Sequence, residues 1–151
     1  MITLQDVKNN LEIQELIKSS QKQLNVLGYT EHSSRHISIV SYRAGKVLET
    51  LGYPQERIEL AKIAGYMHDI GNCVNRVDHA QSGAILAYEL LKDMGMDVEK
   101  RIEIMMAIGN HDEQTGTAVS DISAALILAD KSDVHRDRVV NTNISTFDKH
   151  D

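Results

Sequence analysis

Apolar residues recur at three- and four-residue steps through most of this chain, in runs separated by glycines and short polar stretches. That spacing is the mark of one buried face on an α-helix. Thr3 is placed to cap a first helix, with Asp6 three residues on. Leu4, Val7, Leu11, Leu16 and Leu24 carry that helix to Leu27, and Gly28 ends it. A second helix is predicted from His32 to Leu51, with Ile37, Val40, Ala44, Val47 and Leu48 on its stripe and Gly52 as its stop. Pro54 suits the first turn of a third, where its missing N–H costs nothing. That helix runs through Ile58, Ala61, Ile63 and Ala64 to Met67 and leaves His68-Asp69 at its C-terminal end. After a polar stretch over 72–78, Asp78 is expected to cap a fourth helix from His79 to Met94. Asp97 is expected to cap a fifth through Ile102, Met105, Met106 and Ile108. Ser120 or Asp121 is expected to cap a sixth, through Ala124 and Leu128 to Asp130. The run Ala-Ala-Leu-Ile-Leu-Ala before Asp130 reads as a central core helix. Beyond Val140 the chain turns polar, and a short C-terminal element is expected over 141–151.

Composition agrees with an all-α fold, a bundle of about six helices. The 151 residues are one domain's worth. The hydrophobic fraction is 42% but aromatics are only 4%, so the core must rest on Leu, Ile, Val, Ala and Met. A net charge of −6 argues against a nucleic-acid polymer or an anionic membrane as partner. A nucleotide substrate stays open, because bound cations reverse the local field. Cys73 is the sole cysteine, so no intrachain disulfide forms, which fits a cytoplasmic protein. It lies near His68-Asp69, yet a lone cysteine matches no thiolate metal site. The N-terminus shows no basic stretch followed by an apolar run, so no signal peptide is expected, and no run approaches a membrane span.

Candidate chemistry concentrates at the helix ends. His32, His68, Asp69, His79, His111 and Asp130 supply imidazole nitrogens and carboxylate oxygens, ligands that suit borderline divalent metals. Six exceed the need of one tetrahedral zinc and suffice for two cations sharing a carboxylate. A histidine at a helix end also has a plainer use, bonding terminal carbonyls. Asp69 and Asp130 follow apolar helical runs, and a buried carboxylate needs a cation or several donors.

The stretches "EHSSRH", "AGYMHDIGN", "DHAQSGA", "IGNHDE" and "LILADKSD" resemble the HD superfamily of metal-dependent phosphohydrolases. The resemblance covers about residues 30–135. It leaves an N-terminal helix over 1–28 and a polar segment over 141–151 within a single HD domain spanning 1–151. By this resemblance His32 takes the early histidine position, with His36, one turn on, as its rival. His68, Asp69 and Asp130 complete one metal's ligands. His79 and His111 add a second metal, with Asp69 bridging. The implied cofactor is a divalent metal pair, iron or manganese first, with nickel, cobalt, zinc or magnesium as alternatives. The implied substrate is a small phosphate ester such as a nucleotide. Arg35 and Lys131 are candidates to contact the phosphate, and a homodimer is open.

Departures narrow the resemblance. Members acting on cyclic dinucleotides carry His-Asp-Ile-Gly-Lys, and this chain has Asn72 in place of the lysine. Asp112 replaces the second histidine of a common His-His pair, as a proton donor, a partner for His111 or a loop acid. No Gly-x-x-x-x-Gly-Lys or His-Glu-x-x-His is present, which excludes a P-loop enzyme and argues against a zincin. His135 and His150 fall outside the pattern. Besides hydrolysis, two readings stand: a metal-binding or ligand-sensing module without turnover, and a di-iron oxygenase.

Overall fold

The computed structural model describes residues 1–29, 34–112 and 114–133. Among these, seven α-helices and no strand are present, so the fold is all-α. They are α1 (Leu4–Asn9), α2 (Leu11–Val26), α3 (Ser34–Thr50), α4 (Gln55–Met67), α5 (His79–Asp93), α6 (Val98–Gly109) and α7 (Asp121–Ser132). A short 3-10 turn over Ile70–Cys73 follows α4. The expected C-terminal element, His135 and His150 lie outside the described residues, as do His32 and Glu113.

The expected first helix is two. Thr3 caps α1 with the predicted reciprocal bonds to Asp6. At Asn10 the backbone turns extended, and the Asn10 side chain accepts the Ile13 N–H at 3.0 Å, starting α2 afresh. The break resets the buried stripe. It falls on Ile13, Ile17, Ser20 and Leu24, while Leu11 faces water. Pro54 precedes α4 as its N-cap, and Ser120 caps α7 by accepting the Ser123 N–H. Asp78 and Asp97 occupy the N-cap positions of α5 and α6 without a side-chain cap bond, and Asp78 sits in the left-handed region.

The central helix is α4 rather than α7. Ile58, Leu60, Ala61, Ile63, Ala64 and Met67 point to several sides of α4, and all are buried. The helices α1, α3, α6 and α7 pack around it. In α7 the apolar run is one-sided: Ala125, Leu126 and Ala129 are buried, but Leu128 is exposed. Two glycines set the distances that matter. A Cβ on Gly65 would meet the Ser41 backbone at 2.8 Å, so the α3–α4 crossing requires glycine there. A Cβ on Gly71 would overlap the His79 carbonyl, so the 3-10 turn lies directly on the start of α5. These approaches bring the end of α4, the first turn of α5 and the middle of α3 to one place. No described helix is long and apolar enough to cross a membrane.

Candidate metal centre

Five elements deliver six side chains to that place. His36 comes from α3 and is fully buried. His68 and Asp69 come from the end of α4, His79 from the first turn of α5, His111 from just beyond α6, and Asp130 from α7. The predicted His68, Asp69, His79, His111 and Asp130 are therefore brought together. His36, the rival of His32, joins them. His32 lies outside the described residues.

Asp69 stands in the middle with its two oxygens facing different histidine pairs. Its Oδ2 lies 3.4 Å from His68 Nε2 and 3.7 Å from His36 Nε2. Its Oδ1 lies 3.8 Å from His79 Nε2 and 3.9 Å from His111 Nε2. Asp130 Oδ1 closes one side, 3.2 Å from His36 Nε2 and 3.5 Å from His68 Nε2. Two neighbouring ligands on a tetrahedral cation with ~2.1 Å bonds sit about 3.4 Å apart, the range seen here. The imidazoles form a row, His36–His68–His111–His79, with ring centroids 5.1–5.2 Å apart and edge-to-face tilts.

Each ring is turned by the bond its Nδ1 makes. His68 donates Nδ1–H to Gly65 O at 2.7 Å, His79 to Arg76 O at 3.1 Å, and His111 to Ile108 O at 2.5 Å. A carbonyl only accepts, so these rings carry a proton at Nδ1 and turn Nε2 inward, a lone pair whenever the ring is neutral. His36 Nδ1 bonds Asp133 Oδ2 at 2.7 Å instead. His68 Nε2 is fully buried with no hydrogen-bond partner. An orphaned buried nitrogen among converging carboxylates is explained by a cation. Two overlapping ligand groups, His36–His68–Asp130 and His68–Asp69–His111, each hold their donor atoms within 4.8 Å of one another. The residues present thus fit divalent metal.

The electrostatics agree. Burial pushes His68 down, but Asp69 and Asp130 outweigh it and hold its pKa up at about 9. Burial lowers His79 to about 4 against the pull of Asp69, and it lowers His111 too. Asp130 is held well below the carboxylate range, because the His36 and His68 rings beside it override its burial. The positive charge that the carboxylates favour thus falls on His68.

The remaining candidates have definite partners. Arg35 forks onto Asp133, Nη1 to Oδ1 at 3.2 Å and Nη2 to Oδ2 at 3.3 Å, so it grips the carboxylate behind His36. Asp112 folds the turn after His111. Its Oδ1 accepts the Gln114 N–H at 2.9 Å and its carbonyl accepts the Gly116 N–H at 2.7 Å. Lys131 is exposed and lines a cavity of about 220 Å³ with Asn110, His111, Gly116, Thr117, Ala118 and Ile127. Asn72 donates Nδ2–H to Asp69 O at 2.9 Å and accepts from Arg76 at 3.3 Å. Two neighbours of the centre escaped the sequence reading, Asp133 and Arg76. Asp133 carries a signal in hindsight, standing one helical turn after Asp130.

Comparison with known proteins places this arrangement. A family model for the HD domain matches residues 31–137. The chain is 28% identical to uncharacterized protein MJ1020 of Methanocaldococcus jannaschii, over 74% of this chain and 51% of that protein. It therefore spans about half the length of that relative. In structure it is similar to a predicted HD superfamily hydrolase from an uncultured Thermotogales bacterium. The TM-score is 0.59 at 25% identity, covering 85% of this chain and 72% of the other.

Proposed function

The chain belongs to the HD domain family, and from that premise we propose that it is a metal-dependent phosphohydrolase acting on a small phosphate ester, nucleotides first. One observation carries the reading: the two oxygens of Asp69 face two separate histidine pairs. A carboxylate so placed could serve two cations. His36, His68, Asp69 and Asp130 would hold one of them, and Asp69, His79 and His111 would hold the other. Divalent cations in such a pair acidify water and neutralise charge developing on phosphate oxygens.

The chain's own residues do the rest. The Nδ1–H bonds lock all four imidazoles with Nε2 inward, so the donors need no reorganisation when cations arrive. Asn72 and the Asp112 turn fix the loops on either side of the centre. The cavity beside His111 gives room for the ester's phosphate or leaving group, and Lys131 on its wall supplies a positive charge toward it. Arg76 adds a second positive charge on the His79 side, where its field helps lower the His79 pKa.

The test begins with elemental mass spectrometry on protein purified without chelators or a His-tag. About two equivalents of iron or manganese are expected. The same protein is then offered para-nitrophenyl phosphate, its bis-ester and nucleoside monophosphates, in air and under argon. Hydrolysis that depends on metal and not on oxygen supports the reading. No bound metal after reconstitution with manganese sinks it.

A further inference from the structure

Three of the four histidines in the centre donate Nδ1–H to neutral main-chain carbonyls within their own turn. The fourth, His36, is paired with a carboxylate. Asp133 is buried, and its Oδ2 lies 2.7 Å from His36 Nδ1. It comes from the C-cap of α7, where the backbone leaves the helix at φ −87° and ψ 80° three residues after Asp130. Arg35, from the same helix as His36, clasps both Asp133 oxygens from the other side. The centre is therefore built unequally at its two ends.

We propose that Asp133 is a positioning residue that makes the His36 side the first to take a divalent cation. The inference rests on the two-cation reading above. A hydrogen bond to a carboxylate is roughly twice as strong as one to a neutral acceptor. It also raises the basicity of the opposite ring nitrogen, and such partners typically change metal affinity by 10–100-fold. Arg35 keeps the carboxylate in one orientation, so the imidazole is held by a rigid fork and not by a mobile acid. At the other end the Nδ1 partners are neutral: His79 and His111 lean on the carbonyls of Arg76 and Ile108, and among the described residues Asp69 is the carboxylate whose oxygen faces both rings. Asp133 thus adds to a difference in charge that Asp130 already creates, and orders the filling of the pair.

The experiment is a titration of metal-free protein with Co²⁺, read by visible absorption and by competition with a chelator. Wild type takes two equivalents in two steps. His79→Ala removes the weaker step and keeps the tighter one, which assigns them. Asp133→Asn weakens the tighter step by about 10–100-fold and leaves the weaker within about threefold. Asp133→Glu keeps the charge at the cost of shape and restores most of the loss. A packing role would rank these the other way, because Asn is the closer isostere. Melting of each metal-free variant checks the fold, and Asp133→Ser replaces Asp133→Asn if the latter does not fold. An unchanged first step in Asp133→Asn, with two equivalents still bound, overturns the role of Asp133 alone. Fewer than two equivalents in wild type overturns the two-cation reading itself.

Discussion

Two charged clusters tie helices together in this molecule, and they differ in how closely their groups meet. Around Arg57 on α4, every group is in hydrogen-bond contact. Its Nη1 and Nη2 reach Glu103 of α6 at 2.6 and 2.7 Å, and its Nη2 and Nε reach Asp121 of α7 at 2.6 and 3.2 Å. One guanidinium spans two carboxylates, and every contact is a hydrogen bond. The histidine–aspartate centre, also held between α4, α6 and α7, has gaps of 3.2–3.9 Å between its donors and one orphaned nitrogen. The first cluster is closed and serves stability. The second has the spacing of ligands with a cation still to be placed among them. Bond lengths separate the two classes where charge counts alone do not.

The comparison breaks most visibly at Asp69. Replacing it with Ala removes the group that faces both histidine pairs, so both cations are lost and hydrolysis falls by about 10³-fold or more. Metal content by mass spectrometry and turnover of para-nitrophenyl phosphate read the result. A variant that kept two metals and its activity would refute the bridging assignment.

The opposite pattern is expected at Arg57. Arg57→Met leaves Glu103 and Asp121 facing each other, partly buried and without their cation. Breaking a fully buried pair costs about 3–5 kcal/mol, and the exposure of this one reduces that to about 1–2. For a chain of this size the melting temperature then drops by about 3–8 °C. Metal content stays at wild-type level. If Arg57→Met lost metal and kept its melting temperature, the division into a structural and a functional cluster would be wrong.

Much of this was legible in the sequence, for physical reasons that also mark its limits. Helix periodicity places α3 to α7 because burial demands it. The histidines at the helix ends are legible under both of their readings, since each ring has two nitrogens. Nδ1 of His68, His79 and His111 serves a terminal carbonyl, the plain use, and Nε2 is left for the centre. That His36 reaches the centre was legible only as the rival reading to His32, because the pattern alone does not say which turn crosses α4 at the Gly65 approach. The break at Asn10 hid behind a nearly continuous apolar period, although Asn is a strong N-cap. The Arg57 cluster was invisible, because it joins residues 46 and 64 positions apart through ordinary-looking surface charges. Asp133 closes the stretch "LILADKSD" but was given no role there, because only the folded chain turns it back onto His36.

The smallest effect sharpens the contrast through pH. Burial raises the Asp121 carboxyl, but the Arg57 hydrogen bonds outweigh it and hold the group below its ordinary value. A group whose folded pKa is depressed contributes stability that is complete above its unfolded pKa, about 3.9 for Asp. That contribution is lost as pH falls toward the folded value. Asp121→Asn should therefore be less stable than wild type at pH 6, and the gap should close as both are taken below about pH 4. Groups outside the Arg57 cluster are the same in both proteins and cancel in the difference. Urea unfolding of metal-free protein at pH 6, 4 and 3 supplies the measurement. A gap that stayed constant down to pH 3 would mean that the ion pair adds nothing beyond the shape of the side chain, and the closed cluster would then be one of packing instead of charge.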